Sequence, residues 1–145
     1  MNANQHTKIL FEYEDSEGDY SIESAWALQI GSNYQLDNIL FYASEYSLGD
    51  IVSAEEREGE LYVTGLIQES GHSTIRILFT REESVADTRS ELEALGCSSE
   101  ISNLPFLVAV DIPPNISYSK IKQFLGNGVE KEKWGYEEAC IAHND

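Results

Sequence analysis

Basic residues are scarce in this chain of 145 residues: nine Lys and Arg stand against 26 Asp and Glu, for a net charge of −17. The deficit is uneven. Residues 1–75 carry 14 acids and only Lys8 and Arg57, a balance of −12, while residues 76–145 carry 12 acids and seven bases, a balance of −5. A field of that sign repels phosphate backbones and anionic headgroups, so neither nucleic acid nor a membrane surface is an expected partner. Encounter with a cationic surface is instead accelerated, in a salt-sensitive way. Cysteine is equally sparse. Cys97 and Cys140 stand alone, without C-x-x-C spacing or a neighbouring His, which excludes a disulfide framework and a thiolate zinc site. They read as reduced thiols of a cytoplasmic protein. Long apolar runs are missing too: Phe106-Leu107-Val108-Ala109-Val110 is far too short to span a bilayer. The segment from Met1 to Lys8 has no apolar core and does not read as a signal peptide. No internal repeat or low-complexity linker is present.

What is there is patterned. An apolar content of 41% suffices for one compact unit. Ile9, Phe11 and Tyr13 alternate with Lys8, Leu10 and Glu12 as in a strand with one buried face. In the next strand Ile22, Ser24, Trp26, Leu28 and Ile30 share one face, and Glu23, Ala25, Ala27 and Gln29 the other. Trp26, Phe41 and Tyr42 are expected in the core. Tyr34 to Asn38 reads as a strand closed by an Asp37-Asn38 turn, and Ile39 to Tyr42 as a mixed apolar stretch. Asp50–Ala54 and Leu61–Ile67 pair around the Arg57-Glu58-Gly59 turn. Residues 1–70 are therefore expected to form a small, curved, barrel-like β lobe.

After residue 70 the period changes. Thr74–Thr80 reads as a strand, and Ser84 as the N-cap of a helix carrying Val85, Thr88, Leu92 and Leu95, with Gly96 at its end. Cys97–Ser102 and Phe106–Ile112 read as strands. A second helix begins at Ser117 or Ser119, uses Tyr118, Ile121, Phe124 and Leu125, and stops at Gly126-Asn127-Gly128. Gly135–Ala142 supplies the last strand. The order β-α-β-β-α-β over residues 71–145 predicts a ferredoxin-like lobe, an antiparallel sheet with both helices on one face. The expected class is α+β, the two lobes forming one compact unit.

No catalytic constellation and no cofactor motif emerges. His72 with Arg76 admits a ligand site, a general base beside an anion clamp, but no Ser or Cys nucleophile accompanies them. The preferred reading is structural: Gly71 permits a tight turn, His72 bonds a carbonyl, and Arg76 pairs with an acid across the sheet. His6 and His143 fall in ends expected to fray. Glu12, Glu14, Asp15, Glu17 and Asp19 crowd one hairpin without EF-hand spacing, so no metal is expected there, and Glu14, Asp15, Glu17 and Asp19 form a first acidic tip. Glu55, Glu56, Glu58 and Glu60 form a second acidic tip. Both clusters are candidate contact surfaces for a cationic partner.

Four stretches, Glu23-Ser24-Ala25-Trp26, Tyr34 to Tyr42, Leu48-Gly49-Asp50-Ile51-Val52 and Ser70 to Arg76, together resemble the bacterial domain-of-unknown-function family 4265. The resemblance runs from about Ile9 to Ile141 and implies no activity. In size and charge the chain is also similar to immunity proteins of interbacterial toxin systems, including contact-dependent growth inhibition. The resulting expectation is a non-enzymatic binding protein. Its partner would be a basic, secreted, nuclease-type toxin, neutralised by occlusion of its active site. The alternatives are a ligand-binding regulatory module of ferredoxin-like type and, third, an uncharacterised enzyme.

Overall fold

The computed structural model describes residues 6–145, which form nine strands and two α-helices arranged as two sheets. The first sheet contains β1 (His6–Glu14), β2 (Tyr20–Ile30), β3 (Asn33–Leu36), β4 (Ile51–Arg57) and β5 (Glu60–Gln68). Each pairs antiparallel with the next, and β5 returns to β1 in parallel with Leu10 opposite Tyr62, so the five strands make a ring. Glu58 and Gly59 both adopt positive φ in the β4–β5 turn, the twist that a two-residue hairpin requires.

The ring corrects the reading of β2. Ala25 and Ala27 face the core, whereas Trp26 is 50% exposed. Ile9, Phe11, Leu36, Leu40 and Val52 already fill the interior, so β2 has room there only for small side chains. Its large apolar face therefore points outward.

The second sheet contains β6 (Ser73–Phe79), β7 (Ser98–Ile101), β8 (Leu107–Ile112) and β9 (Trp134–Cys140), in the spatial order β7-β8-β6-β9 with every pair antiparallel. Helices α1 (Val85–Ala94) and α2 (Tyr118–Glu130) share one core with Ile75, Ile77, Phe79, Val108, Val110 and Ile112. Alternation along β6 and β8 thus assigns one sheet face to the helices. The other face carries Thr74, Arg76, Ala109 and Asp111 and turns toward the ring.

Several local expectations change. Helix α2 runs through Gly126-Asn127-Gly128 to Glu130, because Gly128 packs directly under the Trp134 indole rather than ending the helix. Helix α1 ends before Leu95, which is exposed. Neither Ser84 nor Ser117 caps its own helix with its side chain; the Asp145 carboxylate accepts bonds from the Tyr118 N–H and the Ser117 hydroxyl instead. His6 and His143 are not frayed. His6 opens β1 and reaches Asp37, and the His143 ring bonds Ser73 and the Pro113 carbonyl. No helix among the described residues is long and apolar enough to cross a membrane.

Cys97 leads into one edge strand and Cys140 ends the strand at the opposite edge, and both thiols are free. Three strand spacings separate them by about 14 Å, twice the α-carbon reach of a disulfide. Two free thiols are thus expected after mild oxidation of the native monomer. Thiol counting in denaturant with disulfide mapping checks this, and a Cys97–Cys140 bridge would refute the strand order. Burial pushes the Cys97 thiol up to about 11, with the Asp111 charge adding to the shift, so Cys97 is expected to resist alkylation until the protein unfolds.

Candidate functional site

Between β3 and β4 lies a long irregular segment, residues 37–50, that joins the two sheets. Leu40 and Ala43 enter the ring core, which places the backbone around them where every polar group needs a partner. Glu23 of β2 meets that demand on the donor side, its carboxylate accepting from the N–H groups of Phe41 (2.7 Å), Tyr42 (3.0 Å) and Ala43 (2.9 Å). Arg76 of β6 meets it on the acceptor side. Its Nε donates to the Leu40 carbonyl (3.3 Å), Nη1 to the Tyr42 carbonyl (3.2 Å) and to Glu137 (3.1 Å), and Nη2 to the Ala43 carbonyl. Four of the five guanidinium N–H groups are thereby engaged, and Arg76 is only 5% exposed. Arg76 does pair with an acid across the sheet, as expected, but its main role is to hold this segment. It has little left for an anionic ligand.

His72 does not bond a carbonyl. Its Nδ1 donates to the Asp111 carboxylate at 2.9 and 3.0 Å, with Gly71 before it at φ +91°. The Asp111 side chain is 3% exposed and that of His72 25% exposed. This is an oriented base without a nucleophile, because the Ser70 hydroxyl donates to the Leu48 carbonyl at 2.7 Å. Sequence spacing hid the partner: Asp111 lies on β8, 39 residues away, and meets the His only through antiparallel pairing.

Burial pushes the Asp111 carboxyl above its ordinary 3.8, against the opposing pull of His72 and His143. A carboxyl that holds its proton more tightly when folded contributes stability fully below the unfolded value and loses it as pH rises through the folded one. Asp111→Asn is therefore expected to gain stability relative to the unmodified protein as pH climbs through and above the ordinary carboxyl range. Urea melts across that range measure the difference, and the reverse slope would mean that His72 holds Asp111 ionised.

The acidic tips separate. Because β1 and β5 are parallel, the Asp15–Asp19 turn and the Glu58-Gly59 turn lie at opposite ends of the ring. They cannot form one contact patch. At the second tip Lys8 meets Glu60 at 3.4 Å, and Arg57 lies over the Tyr62 ring to reach Glu12 at 2.9 Å and Glu55 at 3.6 Å. Glu56 and Glu58 are exposed there. At the first tip the Asp15 carboxylate accepts from the N–H groups of Glu17 and Asp19, while Glu14 has no side-chain partner among the described residues. No group of three His, Cys, Asp or Glu among the described residues is placed to hold a metal ion.

Two surfaces missed by pattern reading remain. On the outer face of β2, Ile22, Trp26 and Ile30 are 52%, 50% and 46% exposed in one line. Asp37-Asn38 does not close a simple turn there; the Asn38 side-chain Oδ1 accepts from the Trp26 N–H, and the Asp37 N–H donates to the Trp26 carbonyl, which holds its strand. Where the ring faces the second sheet, a cleft of about 590 Å³ opens among Tyr13, Glu14, Asp15, Tyr42, Arg76 and Glu137. The Tyr13 and Tyr42 rings lie nearly parallel, with centroids 6.1 Å apart.

A crystal structure described as that of a hypothetical protein from Neisseria gonorrhoeae superposes with a TM-score of 0.83 at 24% identity, covering 99% of this chain and 100% of that one. That likeness is one of fold. No curated protein matches. The model of the family described as Domain of unknown function (DUF4265) matches residues 23–136, a span that includes Glu23, the irregular segment, Arg76, His72 and Asp111. The chain belongs to this family.

Proposed function

We propose that this is a binding protein of the immunity type, which holds a basic protein, such as a nuclease toxin, against the outer face of β2 and blocks its active site. The observation that carries the reading is the exposed line Ile22, Trp26 and Ile30 within a strongly acidic ring. Exposed apolar side chains in a row mark contact surfaces, and a half-exposed Trp is the residue type most often found as an energetic anchor. Glu12 stands opposite Ile22 in register, and Asp37 borders Trp26. The two bases of this face, Lys8 and Arg57, are already tied to Glu60 and Glu12. A partner with Lys and Arg around an apolar spot would find complementary charge at the rim and a place to exclude water at the centre. Occlusion follows because a nuclease needs those same cations to hold its substrate. In the same reading the ring is a small closed barrel and the second lobe is ferredoxin-like. The β5–β1 return and the edge positions of β7 and β9 support that description. The free thiols suit a cytoplasmic protein.

The test uses the full chain as bait in a bacterial lysate, followed by identification of the retained protein and assay of its nuclease activity. The expected partner is basic, is released by salt and is inhibited on binding. Trp26→Ala is expected to weaken the complex by about tenfold or more. An affinity that ignores both salt and Trp26→Ala would remove the β2 face from consideration. Turnover of a substrate by the purified protein, lost on His72→Ala without unfolding, would replace binding by catalysis.

A further inference from the structure

We infer that the cleft between the ring and the second sheet is a binding site for one organic cation, a guanidinium or alkylammonium group on a flexible stem. The site stands apart from the outer face of β2 and does not depend on it. Tyr13 belongs to the inward-facing series of β1 and Ser21 to that of β2, so the cleft lies at the mouth of the ring, whereas Trp26 points outward.

Three features define the ligand. The space, about 590 Å³, is of the size that holds a small molecule or a long side chain. Its wall is aromatic: Phe41, Tyr13 and Tyr42 line it, the Tyr42 hydroxyl is held by Asn103 at 2.6 Å, and the near-parallel tyrosines present a π surface. A cation over such a face is attracted by the ring quadrupole. Its charge is negative, because Glu14, Asp15 and Glu137 line it against the single cation Arg76. Arg76 is the group that would argue for an anion, and it is occupied. Its donors go to the Leu40, Tyr42 and Ala43 carbonyls and to Glu137, so a carboxylate or phosphate ligand would meet repulsion with hardly a donor to bind. A cation meets the carboxylate of Glu14 and the Oδ2 of Asp15, neither of which takes a bond among the described residues. Leu107 in its lining and the exposed Leu78 beside it give an aliphatic stem an apolar surface to lie on.

The same group can come from the Arg or Lys of a protein or from a free amine. The experiment titrates the isotope-labelled 145-residue chain with argininamide, with a short peptide carrying one Arg among Ala residues, and with citrullinamide, the neutral isostere. Saturable amide shifts at Tyr13–Asp15, Phe41–Ser44 and Glu137 are expected with both cationic probes and not with citrullinamide. Tighter binding of the peptide identifies a protein side chain as the source, and equal or tighter binding of argininamide identifies a free amine. Glu14→Gln is expected to weaken binding by about fivefold, whereas Glu17→Gln, the same charge change on the same hairpin but outside the cleft, is expected to leave it unchanged. Equal weakening by both variants, shifts centred on the Glu55–Glu60 tip, or no saturation would overturn the site. Loss of basic-partner binding in the Trp26→Ala protein with these shifts intact would leave the cleft standing, so the two proposals fail separately.

Discussion

Gly128→Ala is expected to destabilise the protein by about 3 kcal/mol, although alanine is the better helix former by about 1 kcal/mol. A Cβ at this position would lie 2.0 Å from Cζ2 and 2.1 Å from Cε2 of Trp134. The indole has nowhere to go. Phe79 meets it edge-on at 5.5 Å between centroids, Phe124 stands at 5.6 Å, and its Nε1 donates to the Leu125 carbonyl at 3.0 Å. Steric overlap with a held ring therefore outweighs propensity. Gly126, two residues earlier in the same helix, has no neighbour within 4 Å of a built Cβ, so Gly126→Ala is expected to stabilise by about 0.5–1 kcal/mol. Opposite signs for one substitution in one helix separate packing from propensity. Trp134→Phe removes the part of the ring that Cβ would strike, so in that background Gly128→Ala should lose most of its cost, and a double-mutant cycle in urea measures the coupling. Equal effects at both glycines would mean that Trp134 moves freely.

Arg76→Met is expected to cost about 3 kcal/mol, roughly 6–12 °C in midpoint for a chain of this size. Methionine retains much of the apolar volume and none of the donors. The carbonyls of Leu40, Tyr42 and Ala43 then lose their partner in a buried place, at about 1–3 kcal/mol for each group left unsatisfied. Relief from burying a charge offsets part of that sum. Hydrogen exchange gives the local readout. The amides of Phe41, Tyr42 and Ala43, held by Glu23, should exchange faster in Arg76→Met even under conditions where the protein stays folded. If apolar packing of Leu40 and Ala43 alone holds the segment, the loss will be under about 1 kcal/mol and these amides will stay protected.

How legible the molecule was from its residues depended on the range of the interaction. The elements of the second sheet are legible because their signals are local: alternation in β6 and β8, the apolar stripe of α2, and prolines after β8. The end of helix α2 is not legible because a glycine pair is a local stop signal, and only Trp134 explains why Gly128 sits inside the helix. An acid across the sheet is expected for Arg76 from the residues, but that it is Glu137 comes from strand pairing, and the carbonyls that Arg76 serves belong to a segment with no periodicity of its own.

The amino-acid sequence by itself determined the α+β class, the strand and helix order, the excess of negative charge and the family, because each depends on composition or on patterns within about a dozen residues. Tertiary structure decided which face of β2 is inside, since alternation marks two faces without saying which one a narrow ring can hold. It also brought Asp111 to His72, put the two acidic tips at opposite ends, and opened the cleft at the mouth of the ring. Those outcomes follow from strand pairing over tens of residues and from the volume available inside a closed ring, and neither quantity is written in any local stretch of the chain.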